Sequence, residues 1–115
     1  MNIILHITQR QQWEEAKLSQ AYRGDTLDTE GFIHCSTYQQ LIKVANKFFF
    51  GQKELMILCI DCDRVQSEVK YEDADGDRFP HIYGALNVDA VIKVIEFESG
   101  ENGKFELPGE MSNVK

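Results

Sequence analysis

The chain has 115 residues, 43% of them hydrophobic and 27% charged, which suits one folded unit over residues 1–115 and leaves no room for a second. A net charge of -7 without any Lys/Arg cluster repels a phosphate backbone, so nucleic acid is not an expected partner. Three cysteines in a chain able to build its own core predict free thiols, and with no bilayer-length apolar run and no basic-then-apolar start, a cytoplasmic protein without a membrane partner is expected.

Residues 3–7, Ile-Ile-Leu-His-Ile, predict a buried first strand. Thr8 followed by Gln11 matches a capping box, so a helix should begin there and turn Trp13, Ala16 and Leu18 toward the core as far as Ala21. Gly24 and the polar run 25–30 predict a loop, and residues 31–35 a short strand. Ser36 or Thr37, with Gln39 or Gln40 three residues on, can cap a second helix. In that helix Leu41, Val44, Ala45 and Phe48 fall at i, i+3, i+4 and i+7, the stripe of a core-packing helix, and Gly51 stops it. The unbroken apolar run 55–60 predicts a central strand, and Val69 and Tyr71 alternate with polar residues across 68–72. After an acidic turn at 73–77, strands are expected at 79–86 and 90–97, with an edge strand at 104–107 and a loose tail. The order strand, helix, strand, helix and then several strands predicts an α+β fold, two N-terminal helices covering a bent, mostly antiparallel sheet.

All three histidines lie in strand-like segments beside polar groups: His6 before Thr8, His34 before Ser36, and His81 before Tyr83. Imidazole is the side chain most easily poised between donor, acceptor and base near neutral pH, so this placement points to one shared polar site. Strand alternation puts His6 with Thr8, and His34 with Ser36 and Phe32, on common faces, and predicts a concave site on an open side of the sheet, away from the Leu41–Phe48 helix. The same alternation sets Cys35 opposite His34, which weakens a Cys-His nucleophile. Cys59 and Cys62 have the spacing of half a zinc or redox site, but a second ligand pair is missing and Asp61 and Asp63 should raise their thiol pKa values. The turn 73–77 resembles a calcium loop with Gly76 at the fourth position instead of the sixth, and a solvated turn is the better reading. A zinc centre on His6, His34 and His81 ranks below an organic ligand, because no carboxylate is obviously placed to orient the imidazoles. No metal is expected.

The segments Glu30-Gly31-Phe32-Ile33-His34-Cys35-Ser36-Thr37 and Phe79-Pro80-His81-Ile82-Tyr83-Gly84 resemble a small bacterial family, domain of unknown function 952. Leu5-His6-Ile7-Thr8, Trp13, Tyr71-Glu72-Asp73 and Val88-Asp89-Ala90-Val91 fit the same layout, so the resemblance covers nearly the whole chain. It brings no activity with it. More distantly, His6-Ile7-Thr8 resembles the His-Gly-Thr or His-Gly-Ser strand of the ADP-ribosyltransferase superfamily, and residues 31–36 its second strand, followed by a helix. That resemblance implies an ADP-ribosyltransferase-like fold with NAD as substrate. It assigns His6 to a ribose hydroxyl and the main chain of Ile7 to the nicotinamide amide, although Ile7 replaces the usual Gly with a bulk that would crowd the ring. It also implies a carboxylate that stabilises the ribosyl cation. Glu72 is the candidate, and His81 the alternative, as in members acting on 2′-phosphorylated RNA.

Two functions follow. The first is a small NAD-dependent or ADP-ribose-handling enzyme in which His6 and His34 hold ribose and pyrophosphate while Glu72 or His81 supports bond cleavage. The second is a non-catalytic binding module in which the histidines, Thr8, Ser36 and Tyr83 recognise a small polar metabolite.

Overall fold

The computed structural model describes residues 2–113. In chain order the elements are β1 (Ile3–Gln9), α1 (Arg10–Ser19), β2 (Ala21–Tyr22), α2 (Leu27–Glu30), β3 (Ile33–His34), α3 (Leu41–Phe48), β4 (Leu55–Asp61), β5 (Glu68–Ala74), β6 (Asp77–Tyr83), β7 (Leu86–Asn87) and β8 (Val91–Phe97). Short 3₁₀ turns lie at Cys62–Arg64, Val88–Ala90 and Gly109–Asn113.

A strand without polar alternation is stable only where both faces of its sheet are covered. β4 is such a strand: all seven residues are buried, and it is the middle strand of the antiparallel sheet β1-β4-β8. On one face Leu5, Ile57, Cys59 and Ile95 pack with Leu41 and Ala45 of α3, and with Phe105 and Met111. On the other, Ile4, Leu58 and Ile60 pack with Trp13 and Ala16 of α1, and with Tyr22, Ile33, Ile82 and Leu86. The two long helices therefore cover opposite faces, and the central sheet has no open side. A second antiparallel sheet runs β3-β6-β5, and β2 pairs with β7. The fold is α+β, and among the described residues its strand pairings are all antiparallel and its α-helices three.

Several local expectations shift for physical reasons. The capping box does not form: α1 begins at Arg10 after Gln9, because Thr8 is buried as the end of β1 and its hydroxyl is engaged there. Leu18 is 88% exposed, since α1 buries only Trp13 and Ala16. Ala21 leaves the helix to pair with Asn87. The polar loop includes the single helical turn α2. Gly84 at φ 149°, a conformation that L side chains rarely adopt, ends β6 before Leu86, which belongs to β7. The stretch 104–107 forms no strand, and the tail is anchored by the fully buried Met111.

Candidate functional site

In an antiparallel strand, one residue's N–H and C=O point to the same edge and the next residue's to the other. Asn2 accepts from Cys62 N–H at 2.9 Å, and Arg10 N–H donates to Glu54 at 3.0 Å, so the even-numbered residues of β1 bond toward β4. The odd ones face the opposite edge. There Leu5 exchanges both bonds with Ser36, at 2.8 and 2.7 Å, an isolated bridge that joins the two three-stranded sheets. Beyond that bridge the sheets part. Cys35 N–H donates to Pro80, which makes His34↔His81 the pair without ladder bonds and turns the His34 carbonyl toward β1. Continued pairing would bring Ile7 N–H to that carbonyl; instead His6 Nδ1 reaches it at 2.5 Å. Among the described residues no strand pairs with Ile7 on this edge. Its side chain packs in the core cluster that holds Leu41 and Ala45 of α3 and is 7% exposed, and the residue also borders the cleft.

His6 then heads a row of polar groups. Its Nε2 lies 2.7 Å from Tyr22 Oη, Tyr22 Oη lies 2.8 Å from Thr8 Oγ1, and Thr8 Oγ1 lies 2.9 Å from Gln12 Oε1. Gln12 Nε2 donates in turn to Asp25. Desolvation lowers the His6 pKa from 6.5 to about 4, outweighing the His34 carbonyl that would raise it. Burial raises the Tyr22 phenol well above its ordinary value. His6 is neutral at pH 7. Since a carbonyl only accepts, its proton sits on Nδ1.

The other two histidines face each other across β3 and β6, with ring centroids 5.3 Å apart. His81 is buried, stacks on Phe32 at 4.2 Å, and holds Glu72 Oε1 at 2.8 Å through Nδ1. Tyr83 donates to the same oxygen at 2.5 Å. That hydroxyl first, then His81, lowers the Glu72 pKa, and the carboxylate raises that of Tyr83. His34 is exposed and pairs with Glu30 at 3.1 Å. Each of these imidazoles thus has a carboxylate beside it, which the sequence did not make visible.

A cleft of about 580 Å³ occupies the fork. His6, Ile7, Thr8, His34, Ser36 and His81 line it together, whereas Glu72 and Tyr83 do not: they stand behind His81 and act on the cleft only through it. Unforeseen contributors are Gln12, Tyr22, Asp25 and Glu30 on the polar side. Val44, Phe48 and Phe49 form another wall, so α3 borders the site instead of lying away from it. The amphipathic stripe had placed Phe48 in the core, yet it is 59% exposed. Among the described residues no Lys or Arg lines the cleft, and three carboxylates do, those of Asp25, Glu30 and Asp75, the last paired with Lys47.

The model of the family described as Protein of unknown function (DUF952) matches residues 7–94, a span that takes in Thr8, Tyr22, Glu30, His34, Glu72 and His81. The chain belongs to that family. Two crystal structures of protein CC0527 from Caulobacter crescentus, one of a double mutant, are similar to this DUF952 chain at 30% identity and a TM-score of 0.87, covering 96% of it and 99% of CC0527. The solution NMR structure of CC0527 is similar over 98% and 97%, with a TM-score of 0.79. No curated protein matches.

The DUF952 chain's thiols are all held above their ordinary pKa. Cys35 lines the cleft only as a buried group whose pKa desolvation raises strongly, and burial also lifts Cys59 to about 11 and raises Cys62. Among the described residues no three His, Cys, Asp or Glu side chains are grouped to hold a metal ion, and no helix is long and apolar enough to cross a membrane.

Proposed function

We propose that the fork binds the nicotinamide riboside end of NAD and that this DUF952 protein is a small ADP-ribose-handling enzyme. The observation that carries the reading is the open edge of β1 at Ile7, a main-chain N–H and C=O without a strand partner, at the head of a cleft. A carboxamide has one acceptor and two donors and can pair with such an edge as a further strand would. The walls support the choice of ligand: Phe48, Phe49 and Phe79 offer aromatic surface, and carboxylates without Lys or Arg favour a cationic ring over a pyrophosphate, which would stay at the mouth. The ADP-ribosyltransferase-like order of strands and helices suggested by His6-Ile7-Thr8 and by residues 31–36 agrees with this pose.

In the reaction, an acceptor hydroxyl or water attacks C1′ of the ribose. The N-glycosidic electron pair moves to the pyridinium nitrogen, nicotinamide leaves neutral, and the nucleophile's proton passes to His81. Glu72, bound to His81 Nδ1, fixes the tautomer that leaves Nε2 as the basic nitrogen, and is a positioning residue. Glu30, which pairs with His34 on the lining, is the carboxylate assigned to stabilise the developing cation.

Nicotinamide release from NAD, with the protein alone and with cell extract as a source of acceptors, tests the proposal. Glu72→Gln is expected to leave NAD affinity within a few-fold and to cut turnover about 100-fold. One observation favours the non-catalytic binding module: both nitrogens of His6 lie within hydrogen-bond distance of protein groups, so a ribose hydroxyl must compete there with the His34 carbonyl and Tyr22. Saturable binding without nicotinamide release would establish that second reading, and no binding of NAD or nicotinamide riboside would overturn both as far as this ligand class is concerned.

A further inference from the structure

The row headed by His6 contains a counting problem. From the His34 carbonyl through His6, Tyr22 and Thr8 to Gln12 Oε1 there are four contacts of hydrogen-bond length, 2.5, 2.7, 2.8 and 2.9 Å. Four hydrogen bonds need four protons. Both ends are acceptors: one is a carbonyl, and the other is an amide oxygen held toward Thr8 because the amide nitrogen donates to the Asp25 carboxylate. The three groups between them, a neutral imidazole, a phenol and a hydroxyl, bring one proton each. With His6 neutral, one contact therefore has two lone pairs facing each other. With His6 as imidazolium every contact is a bond.

Burial works against that completed state, and the cleft decides how the shortage is met. Besides Tyr22 of the row itself, the titratable groups sharing the cleft with His6 are Asp25 beyond β2, Glu30 of α2, His34 of β3, Cys35, Asp75 of the β5–β6 turn and His81 of β6. Asp25 favours charge on His6 and His34 opposes it. Every member of the row lines the cleft, so a ligand can reach the unmade contact.

We propose that Thr8, Gln12 and Asp25 are positioning residues acting through Tyr22, which leave the row one donor short, so that it accepts either a proton on His6 or an O–H or N–H of the bound ligand. Each excludes the other. The ligand half rests on the cleft being the site described under Proposed function, and the proton half stands on the row alone.

Nitrogen-15 NMR of His6 against pH, in the protein without ligand, tests the proton half. Thr8→Val leaves two contacts and two protons, and Gln12→Met leaves three and three, so in either variant the neutral row is complete. Each should lower the His6 midpoint by about half a unit or more, roughly threefold in the protonation constant, while Thr8→Ser keeps the wild-type value. Neither Thr8 nor Gln12 is hydrogen-bonded to the imidazole, and Thr8→Val leaves Gln12 and Asp25 in place, so a merely structural role predicts no shift in that variant. An unchanged midpoint in Thr8→Val and Gln12→Met, or an equal fall in Thr8→Ser, overturns the proposal, and Gln12→Met keeps it decidable if Thr8→Val does not fold.

For the ligand half, saturating nicotinamide riboside should lower the His6 midpoint, whereas 1-methylnicotinamide, with the same ring and carboxamide but no hydroxyl, should not. Binding of both with no difference at His6 overturns the donor role. Failure of both to bind overturns the ligand reading of the cleft, with the apo titration still deciding the row.

Discussion

The two edges of β1 carry the same seven residues and meet opposite fates. Toward β4 every residue from Ile3 to Gln9 has a register partner, and the β4 half of that seam is buried along its whole length, with Leu58 and Ile60 fully so. Toward β3 a single bridge at Leu5 holds, and then a histidine side chain replaces the backbone in bonding the next carbonyl. The paired edge is continuous and apolar, so its stability comes from burial and ladder bonds. The forked edge gives up ladder bonds to hold polar groups at fixed separations around a cleft. One strand thus anchors the fold on one side and builds a site on the other.

The contrast can be broken most severely on the paired side. Leu58→Ala removes a fully buried side chain from the middle of β4 and should cost about 3–4 kcal/mol, read as a lower urea midpoint at unchanged m-value. A loss under about 1 kcal/mol would mean that the seam is not the anchor.

The forked side should instead dominate the response to acid. His6 has a folded pKa of about 4 against 6.5 unperturbed, so between those values the unfolded chain binds more protons than the folded one. Stability from this group is complete above pH 6.5 and is lost as pH falls toward 4, on the order of 3 kcal/mol over the window. Urea midpoints at pH 7.5, 5.5 and 4 should fall more steeply in the wild type than in His6→Gln; parallel slopes would contradict the depressed pKa.

Tyr22→Phe sharpens the comparison at one atom. It keeps the buried ring and removes the hydroxyl shared by His6 and Thr8, leaving two polar groups short of a partner, at a cost of about 1–2 kcal/mol by equilibrium unfolding. The smallest effect belongs to the outer surface. Arg10 and Glu96 pair at 2.8 Å with both side chains exposed, and Glu96→Gln should change stability by less than about 0.5 kcal/mol.

Much of the paired side was legible from residue pattern. An apolar run of strand length at 55–60 can only be central, and a three-four spacing of Leu41, Val44 and Ala45 can only be a helix laid on a sheet. Alternation also grouped His6 with Thr8 correctly, because a period of two does not depend on what lies opposite. The forked side was legible in its residue types and not in its partners. Thr8 satisfied a capping pattern as well as a strand pattern, and its burial at the end of β1 decided for the strand. Glu72 had the right chemistry, but pairing with Phe79 across β5 and β6 set it behind His81 instead of on the cleft. Tyr22, Gln12 and Asp25 carry no motif, and only the close approach of β2, α1 and the following loop makes them a row.

Local pattern was therefore enough for the α+β class, the central strand and the grouping of the three histidines, which line one cleft, because period, length and side-chain type act over a few residues. Tertiary structure alone decided that the helices take opposite faces, that β1 and β3 part after one bridge, and which carboxylate faces which imidazole. Those outcomes depend on contacts between residues as distant as His6 and His34, or Glu72 and His81, whose spacing along the chain has no period to betray it.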